Sequence, residues 1–408
     1  MRHLIVRFWY DHRLTLILAL LGLGLVVFSQ QPSHWLRSGQ AGLNAAGAGA
    51  SQQPERRQAD FFVPSRPETV TWGSFPIDAR PVLTIRSGQT VRIDTLSHAG
   101  ATQDEHPAMF FEPYGVKRDE ILEDVIAFWS SRKGRPREGR GVHILTGPIY
   151  IDGAEPGDVL EVQILDLSTR VPYGVNNTSP TSGVFDPSYP GVRSGDPLLE
   201  ITPGTRHVLR TGSVAGREVA FFSSDIHVPL APFMGVMAVA PQDAVVGQPG
   251  VTVAGVQSSR PPGRFGGNMD LKDLTIGSSL YLQVFHTGAR FYVGDPHSAQ
   301  GDGEVSGTAI EHSLSGVFRF TVHKGKTITA PRAETDTHYI MMGIDLDLDR
   351  ALRMATWEVV NFLVTERGLS PAKAFSLASI GVDFHVAEAV DLTQLVSGKI
   401  PKSLFLKR

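Results

Sequence analysis

The stretch Gly294–Glu311, GDPHSAQGDGEVSGTAIE, follows the apolar residues FYV, so a strand is predicted to run into a polar turn. Asp295 and His297 are two residues apart, and in an extended chain this spacing places both side chains on one face. Asp302 and Glu304 repeat the same spacing. Carboxylates and an imidazole that converge in this way can ligate a divalent metal or exchange a proton. The alternative is a solvated hairpin loop, rich in turn-forming residues and without chemistry.

Further strings flank this stretch: GGNMD (Gly266–Asp270), then SLYLQVF, and upstream GPIYIDGAEPGDVLEVQILDL (Gly147–Leu167) and PLAPFMGVMAVAP (Pro229–Pro241). Downstream lies ASIGVDFHVAEAVD (Ala378–Asp391). Together with the stretch above, these strings resemble the acetamidase/formamidase family over about residues 68 to 404. The resemblance implies hydrolysis of a short linear carboxamide, such as formamide or acetamide, to its carboxylate and ammonia.

The implied reaction sets the roles that are expected of the site residues. An amide carbonyl is a poor electrophile, so water must be activated and the developing oxyanion stabilised, and a divalent metal can do both. We expect zinc as the cofactor, Glu304 as the general base, and Asp302 or Glu311 as a residue that orients the ligands. The resemblance places Asp270 beside His297. The predicted metal ligands are His98, Asp270, Asp295 and His297, and the predicted substrate-binding residues are Asn176, Asn268 and Gln300.

The loop Ser97–Gly100 departs from the family pattern. Many members carry an aspartate in this neighbourhood, whereas this loop has no carboxylate before Asp104. His98 can replace the missing ligand because imidazole binds zinc, although a lone loop histidine is also typical of a plain surface. The departure keeps a rival function open, namely an exported small-molecule-binding protein that retains the fold without the chemistry.

From about residue 67, short apolar runs alternate with Pro, Gly and Asp. This pattern predicts a β-rich α+β domain over residues 67–408, with a β-sandwich body and C-terminal helices; a division into 67–200 and 201–408 stays open. Gly88 between VLTI and VRIDTL predicts one hairpin, and Pro156-Gly157 between IYI and VLEVQILDL predicts another.

Two helices are predicted near the C-terminus. Apolar residues recur at helical spacing over residues 351–364, and Ser370-Pro371 is typical of the start of a second helix. The alternating acids Asp345, Asp347 and Asp349 lack the glycine turn and closing glutamate of a calcium loop. We interpret them as acids that precede a helix N-terminus.

The N-terminal residues predict export. Three arginines in the first thirteen residues precede the apolar run Leu14–Phe28, which is typical of a secretory signal peptide or a signal anchor over residues 1–28. Residues 29–66 are poor in large apolar groups and are predicted to form a flexible linker. The positive charges precede the run, so the remainder is expected outside the cytoplasm, in the periplasm or another extracytoplasmic space, with a membrane tether if the segment is retained.

Composition excludes several classes of site and partner. The chain contains no cysteine, which excludes disulfides, thiolate zinc sites and cysteine nucleophiles. The net charge of −3 with interspersed signs gives no basic stripe for nucleic acid. The expected partners are a small amide substrate, the membrane through the N-terminal segment, and further copies of the chain in a homo-oligomer.

Overall fold

The computed structural model describes residues 58–133, 141–179, 183–185 and 204–406. The predicted signal or anchor segment and most of the predicted linker lie outside these residues. Within the described ranges, no helix has both the length and the hydropathy that crossing a membrane requires.

Strands make up most of the regular structure. In chain order, the strands are β1 (Phe61–Val63), β2 (Val70–Trp72), β3 (Ser74–Pro76), β4 (Leu83–Arg86), β5 (Thr90–Asp94), β6 (Ile144–Asp152), β7 (Val159–Thr169), β8 (Tyr173–Thr178), β9 (Thr205–Val214), β10 (Arg217–Phe221), β11 (His227–Pro229), β12 (Phe233–Ala238), β13 (Val256–Ser258), β14 (Gly266–Asn268), β15 (Ser279–Gln283), β16 (Phe291–His297), β17 (Leu314–His323), β18 (Arg332–Glu334), β19 (His338–Asp345), β20 (Asp383–Asp391) and β21 (Thr393–Pro401). The helices are α1 (Pro107–Phe111), α2 (Glu123–Arg132), α3 (Leu348–Thr365) and α4 (Pro371–Gly381), with short 3-10 turns at Glu112–Tyr114, Arg118–Glu120 and Lys402–Leu404.

Two large sheets dominate the described residues. One has nine strands in the order β1-β5-β17-β7-β15-β18-β19-β21-β20. The other has six, in the order β14-β12-β16-β6-β2 with β4 beside β6. Pairing is antiparallel except between β1 and β5 and between β4 and β6. A four-stranded sheet, β11-β10-β9-β8, and the pair β13-β3 complete the part of the chain that is described.

The two large sheets pack face to face over one apolar core. Phe291 of β16 lies with its ring centroid 5.0 Å from that of Phe320 and 6.5 Å from that of Phe318, both on β17. Ile149 of β6 and Leu160 of β7 are fully buried in the same core. Since β16 and β6 belong to one sheet and β17 and β7 to the other, the predicted β-sandwich is confirmed.

Both predicted hairpins are wrong, although their strands are real. β4 pairs with β6 in the six-stranded sheet, whereas β5 pairs with β1 and β17 in the nine-stranded sheet. β6 and β7 are likewise separated between the two sheets. The glycine turns at Gly88 and Gly157 therefore form corners of the sandwich. Alternation of apolar residues identifies a buried face, but it does not say which strand supplies the backbone partner.

The predicted C-terminal helices are confirmed. Asp347 caps α3 by accepting a hydrogen bond from the backbone N–H of Arg350, as an acid before a helix N-terminus does. Ser370 caps α4 in the same way, with Pro371 in its first turn. The helix α3 packs on β19 and β21, where Gly343 of β19 lies directly beneath the helix backbone.

Part of the predicted linker and the residues around Asn176 form strands. Phe61–Val63, inside the predicted linker, pairs with β5, and Asp60 accepts hydrogen bonds from the backbone N–H and hydroxyl of Thr90 at 2.8 Å. The ordered chain therefore begins before residue 67. Asn176, predicted to bind substrate, lies in β8, which pairs along its whole length with β9. In both cases pairing with a distant strand decides the conformation.

Replacing Gly343 by Ala is expected to destabilise the fold. A Cβ at this position would overlap the backbone of Ala351 and Ala355, lying 2.9 Å from the Cα of Ala355, so α3 would have to lift from the sheet. Overpacking of this kind costs about 1–3 kcal/mol. Thermal unfolding of G343A should show a lower Tm, and G301A serves as control because a Cβ there meets nothing within 4 Å. An unchanged Tm for G343A would contradict this account of the helix contact.

Candidate functional site

The site lies where β16 meets β12. Every residue of β16 is buried, and this strand carries Asp295 and His297. β12 runs antiparallel to it, and Gly235 of β12 accepts a hydrogen bond from the backbone N–H of Asp270. Asp270 is thereby brought next to Asp295 and His297, as the resemblance predicted.

His297 is the centre of a buried charged cluster. Its Nε2 lies 3.2 Å from Asp295 Oδ2 and 3.2 Å from Glu311 Oε1. Its Nδ1 lies 3.5 Å from Asp270 Oδ1. All four side chains are less than 5% exposed. Glu311, predicted only as an orienting residue, is thus in direct contact with the central imidazole.

Two histidines approach the cluster from other elements. His98 Nδ1, in the loop after β5, lies 3.3 Å from Glu311 Oε2 and 3.8 Å from Asp295 Oδ1. This placement puts His98 with the predicted ligands rather than on the surface. His143, just ahead of β6, lies 3.7 Å from Asp295 Oδ2 through its Nε2. Sequence reasoning missed His143 because no neighbouring polar residue marks it, and only the pairing of β6 with β16 brings it here.

The candidate ligand atoms fall into two groups, which are linked by the contacts of His297 with Asp295 and Glu311. One group comprises His98, Asp295 and Glu311, and the other comprises Asp270, His297 and Glu304; within each group the candidate ligand atoms lie within 4.8 Å of one another. Glu304, predicted as a base, therefore lies close enough to Asp270 and His297 to act as a ligand too.

Three carboxylate residues of the cluster have a strained backbone. Asp270, Asp295 and Glu304 have φ of 44°, 50° and 45°, in the left-handed region that residues other than glycine rarely adopt. Such conformations cost about 1–3 kcal/mol each and cluster at functional sites. The surrounding structure therefore holds three carboxylate residues of the cluster in strained conformations, as is common at functional sites.

Gln300 fixes the tautomer of His297. The amide nitrogen of Gln300 donates to the backbone carbonyls of Asp270 at 2.9 Å and Ala387 at 3.4 Å. Its oxygen must therefore face His297 Nδ1, 3.1 Å away, and that nitrogen must carry a proton. The opposite nitrogen, Nε2, then faces two carboxylate oxygens and has no hydrogen-bond partner in the described residues. A positive charge, either a proton or a metal cation, is needed between them.

The electrostatics of the cluster are strongly perturbed. Burial raises the pKa of Asp270 well above its usual range, and the charge of Glu304 adds to this effect. Burial likewise raises the pKa of Glu304 well above its usual range. Burial also acts to raise the pKa of Asp295, but His143 and His297 outweigh it and hold that pKa well below its usual range. Burial opposes the charged form of His297, yet Asp295 still raises the pKa of this imidazole well above its usual range.

A second pair of buried acids lies behind the cluster. Glu388 Oε2 accepts hydrogen bonds from the backbone N–H groups of Val390 and Asp391, and burial next to Asp391 raises the pKa of Glu388 to about 8. Asn268 donates to Asp391 Oδ2 at 2.8 Å. Sequence reasoning missed both acids, because AEAVD reads as part of an alternating strand and its kinks at β-bulges appear only in the structure.

Two predicted residues have contacts that differ from their predicted roles. Asp302 is about one-third exposed and lies 3.0 Å from Lys272 and 3.3 Å from His385, outside the His297 cluster. The amide nitrogen of Asn176 donates hydrogen bonds to the backbone carbonyls of Thr308 and Ala309 and to the Thr308 hydroxyl. These bonds tie β8 to the Gly294–Glu311 stretch. Asp302 is thus held by Lys272 and His385, and Asn176 by the Gly294–Glu311 stretch. Spacing alone does not reveal these competing partners.

The chain is similar to proteins named formamidase and acetamidase. A formamidase of Methylophilus methylotrophus is 27% identical over 317 residues, which cover 62% of this chain and 74% of that protein. An acetamidase of Mycolicibacterium smegmatis is 27% identical over 206 residues, covering 40% of this chain and 49% of that one. A Schizosaccharomyces pombe protein that bears the name formamidase is 28% identical over 260 residues, and 56% of its length is matched. The chain thus spans about half the length of two of these three relatives.

Solved structures match more of the chain. The crystal structure of an acetamidase from Bacillus halodurans is 25% identical with a TM-score of 0.64, covering 84% of this chain and 98% of that one. An acetamidase from Yersinia enterocolitica, 24% identical, shares the fold with a TM-score of 0.65 over 86% of this chain and 95% of that one. The model of the acetamidase/formamidase family matches residues 137–252 and 251–407. Since these residues are well over half of the chain, this protein belongs to the acetamidase/formamidase family.

Proposed function

We propose that this protein hydrolyses a linear carboxamide to its carboxylate and ammonia, with a divalent metal held in the His297 cluster. The observation that carries the proposal is the clustering of four buried carboxylates and two histidines near the end of β16, in two groups whose candidate ligand atoms lie within 4.8 Å of one another. The names of the relatives, formamidase and acetamidase, support the same reaction class.

The residues present fit a divalent metal. Both carboxylate oxygens of Asp270, one of Asp295 and one of Glu311 are buried without a hydrogen-bond partner among the described residues, as are His297 Nε2 and His98 Nδ1. Buried charges are normally paired or bound to metal. A donor set of carboxylate oxygens and imidazole nitrogens suits zinc and its divalent neighbours. We propose Asp270, Asp295, His297 and His98 as ligands, with Glu311 and Glu304 within reach.

Each residue of the chain has a distinct role in the proposed reaction. A divalent metal, when bound, polarises an amide carbonyl and lowers the pKa of water. Glu304 accepts the proton of the attacking water, for which a carboxylate with a raised pKa is well matched to neutral pH. The water oxygen bonds to the carbonyl carbon, the C–N bond breaks, and Glu304 returns the proton to the leaving nitrogen. Gln300 holds the His297 ring so that Nε2 faces the cluster.

Metal content and ammonia release, measured on the same sample of the full chain, test the proposal first. Elemental analysis is expected to find about one divalent metal per chain, and formamide, acetamide and larger linear amides are to be assayed together. Prolonged chelation should remove both the metal and the ammonia release, and readdition should restore them. A metal-free protein that binds an amide without releasing ammonia would instead favour a binding function.

Glu304→Gln and Asp302→Asn distinguish the roles of two neighbouring acids in the Gly294–Glu311 stretch. Glu304 is buried beside Asp270 and His297, so E304Q should lower kcat roughly 100- to 10,000-fold, the range for loss of a positioned proton acceptor. D302N removes the same charge from a residue paired with Lys272 and should keep kcat within severalfold. Circular dichroism controls for folding. Full activity of E304Q would remove Glu304 from the base role.

Replacing Gly235 by Ala should impair the metal site from the opposite strand. A Cβ there would collide with Asp270 Oδ1 and lie 2.7 Å from Asp295 Oδ2, so both carboxylates would be displaced. We expect the metal content of G235A to fall at least tenfold, together with ammonia release. G301A is the matched control, since a Cβ at that position meets nothing within 4 Å. Normal metal content in G235A would argue against these two carboxylates as ligands.

A further inference from the structure

A large cleft reaches the cluster at Glu304 and Gln300. Its volume is about 890 Å³, and both residues line it. Gln300 contacts the His297 ring directly, so this end of the cleft adjoins the site described above. Lys272 and Asp302, which are paired with each other at 3.0 Å, line the cleft as well and make this end polar.

The cleft far exceeds the size of formamide or acetamide. At the roughly 30 Å³ that a water molecule occupies in the liquid, the four heavy atoms of acetamide fill about 120 Å³. Clefts of about 300–1,000 Å³ are typical of sites that hold considerably larger ligands. A two-carbon amide would leave most of the cleft to water and would touch few of its walls.

One wall of the cleft is apolar, although threonines and His338 line other parts of it. Leu209, Ala299 and Ile310 form one small hydrophobic cluster, against which Val228 packs, and all four line the cleft. Ala231 and Pro229 extend this wall from the segment just before β12. This wall forms where the four-stranded sheet packs against the Gly294–Glu311 stretch.

Large apolar side chains at the cleft are left exposed to solvent. Phe222 is 50% exposed and Val305 is 58% exposed, and both line the cleft. Exposed apolar surface that borders a cleft is characteristic of a ligand-binding groove. An apolar group that lies along these side chains would remove them from water, which a polar or very small ligand would not do.

We infer that the substrate is a carboxamide whose acyl group is apolar and larger than acetyl, such as a phenylacetyl or hexanoyl group. The amide group meets Glu304 at the polar end, and the acyl chain lies along the wall formed by Leu209, Val228 and Ala231. This inference rests on the proposed amide hydrolysis and adds the substrate class. The reaction itself is unchanged: water adds to the carbonyl carbon, and ammonia leaves.

Ammonia release from acetamide, hexanamide and phenylacetamide, measured with the full metal-loaded chain, tests the inference. We expect kcat/KM for the two larger amides to exceed that for acetamide at least tenfold, because each added apolar group in a fitting pocket contributes about tenfold or more. An equal or higher kcat/KM for acetamide would overturn the inference and leave the proposed hydrolysis intact.

Ala231→Trp tests the wall directly. Ala231 is exposed, and its only described backbone donor contact, to the carbonyl of Ser298, is available to any non-proline residue, so a large side chain can fill the cleft without entering the core. We expect A231W to lower kcat/KM for phenylacetamide at least tenfold more than it lowers kcat/KM for acetamide. A Tm of A231W close to that of the unmodified protein checks folding. An equal loss for both amides would contradict the assignment of this wall.

If the protein hydrolyses none of these amides, calorimetric titration with phenylacetamide tests whether the cleft binds an apolar amide. Absence of ammonia from every amide would overturn the proposed function. Phenylacetamide binding that A231W weakens tenfold would still support the apolar cleft as the ligand site. Absence of binding to the unmodified chain would overturn the inference as well.

Discussion

The structure depends on a cluster of carboxylates that is buried around one imidazole. Asp270, Asp295, Glu304 and Glu311 surround the imidazole of His297, away from water. Buried carboxylates repel one another and lose hydration, so such a cluster persists only with compensating positive charge. The imidazole supplies part of it, and Gln300 dictates which ring nitrogen faces the acids. The cluster is thus pre-organised for a cation, at a cost that the surrounding sandwich must offset.

The sandwich offsets this cost because it holds the strand that carries Asp295 and His297 rigidly. β16 lies between β12 and β6 in the six-stranded sheet and packs on β17 of the other sheet, so the strand that carries Asp295 and His297 is held on three sides. A glycine at position 235 lets both carboxylates approach β12 more closely than any side chain would allow. The left-handed backbone at Asp270, Asp295 and Glu304 is tolerated because this packing leaves no relaxed alternative.

The proposed site has a charged part and an apolar part. The charged cluster lies in the sandwich, while the apolar wall of the adjoining cleft comes from the four-stranded sheet and its contact with the stretch after β16. Asn176 links these parts, since its side chain ties β8 to the carbonyls of residues 308 and 309. The four-stranded sheet thus contributes to the apolar wall, whereas the Gly294–Glu311 stretch contributes both to this wall and to the charged cluster.

The sequence by itself determined the β-rich fold, the two capped C-terminal helices and the importance of the Gly294–Glu311 stretch, because alternation, caps and dense polar strings are local features. It also indicated that Asp295, His297, Asp270 and His98 belong together, through the resemblance to a family. Only the tertiary structure decided that the predicted hairpins are sandwich corners, since strand partners are chosen by packing over long sequence distances. The same long-range pairing brought in His143 and the acids Glu388 and Asp391 of β20, put Asp302 beside Lys272 and His385 outside the cluster, and placed Asn176 in a strand. These positions depend on contacts between residues that are far apart in the chain, so a local sequence pattern does not predict them.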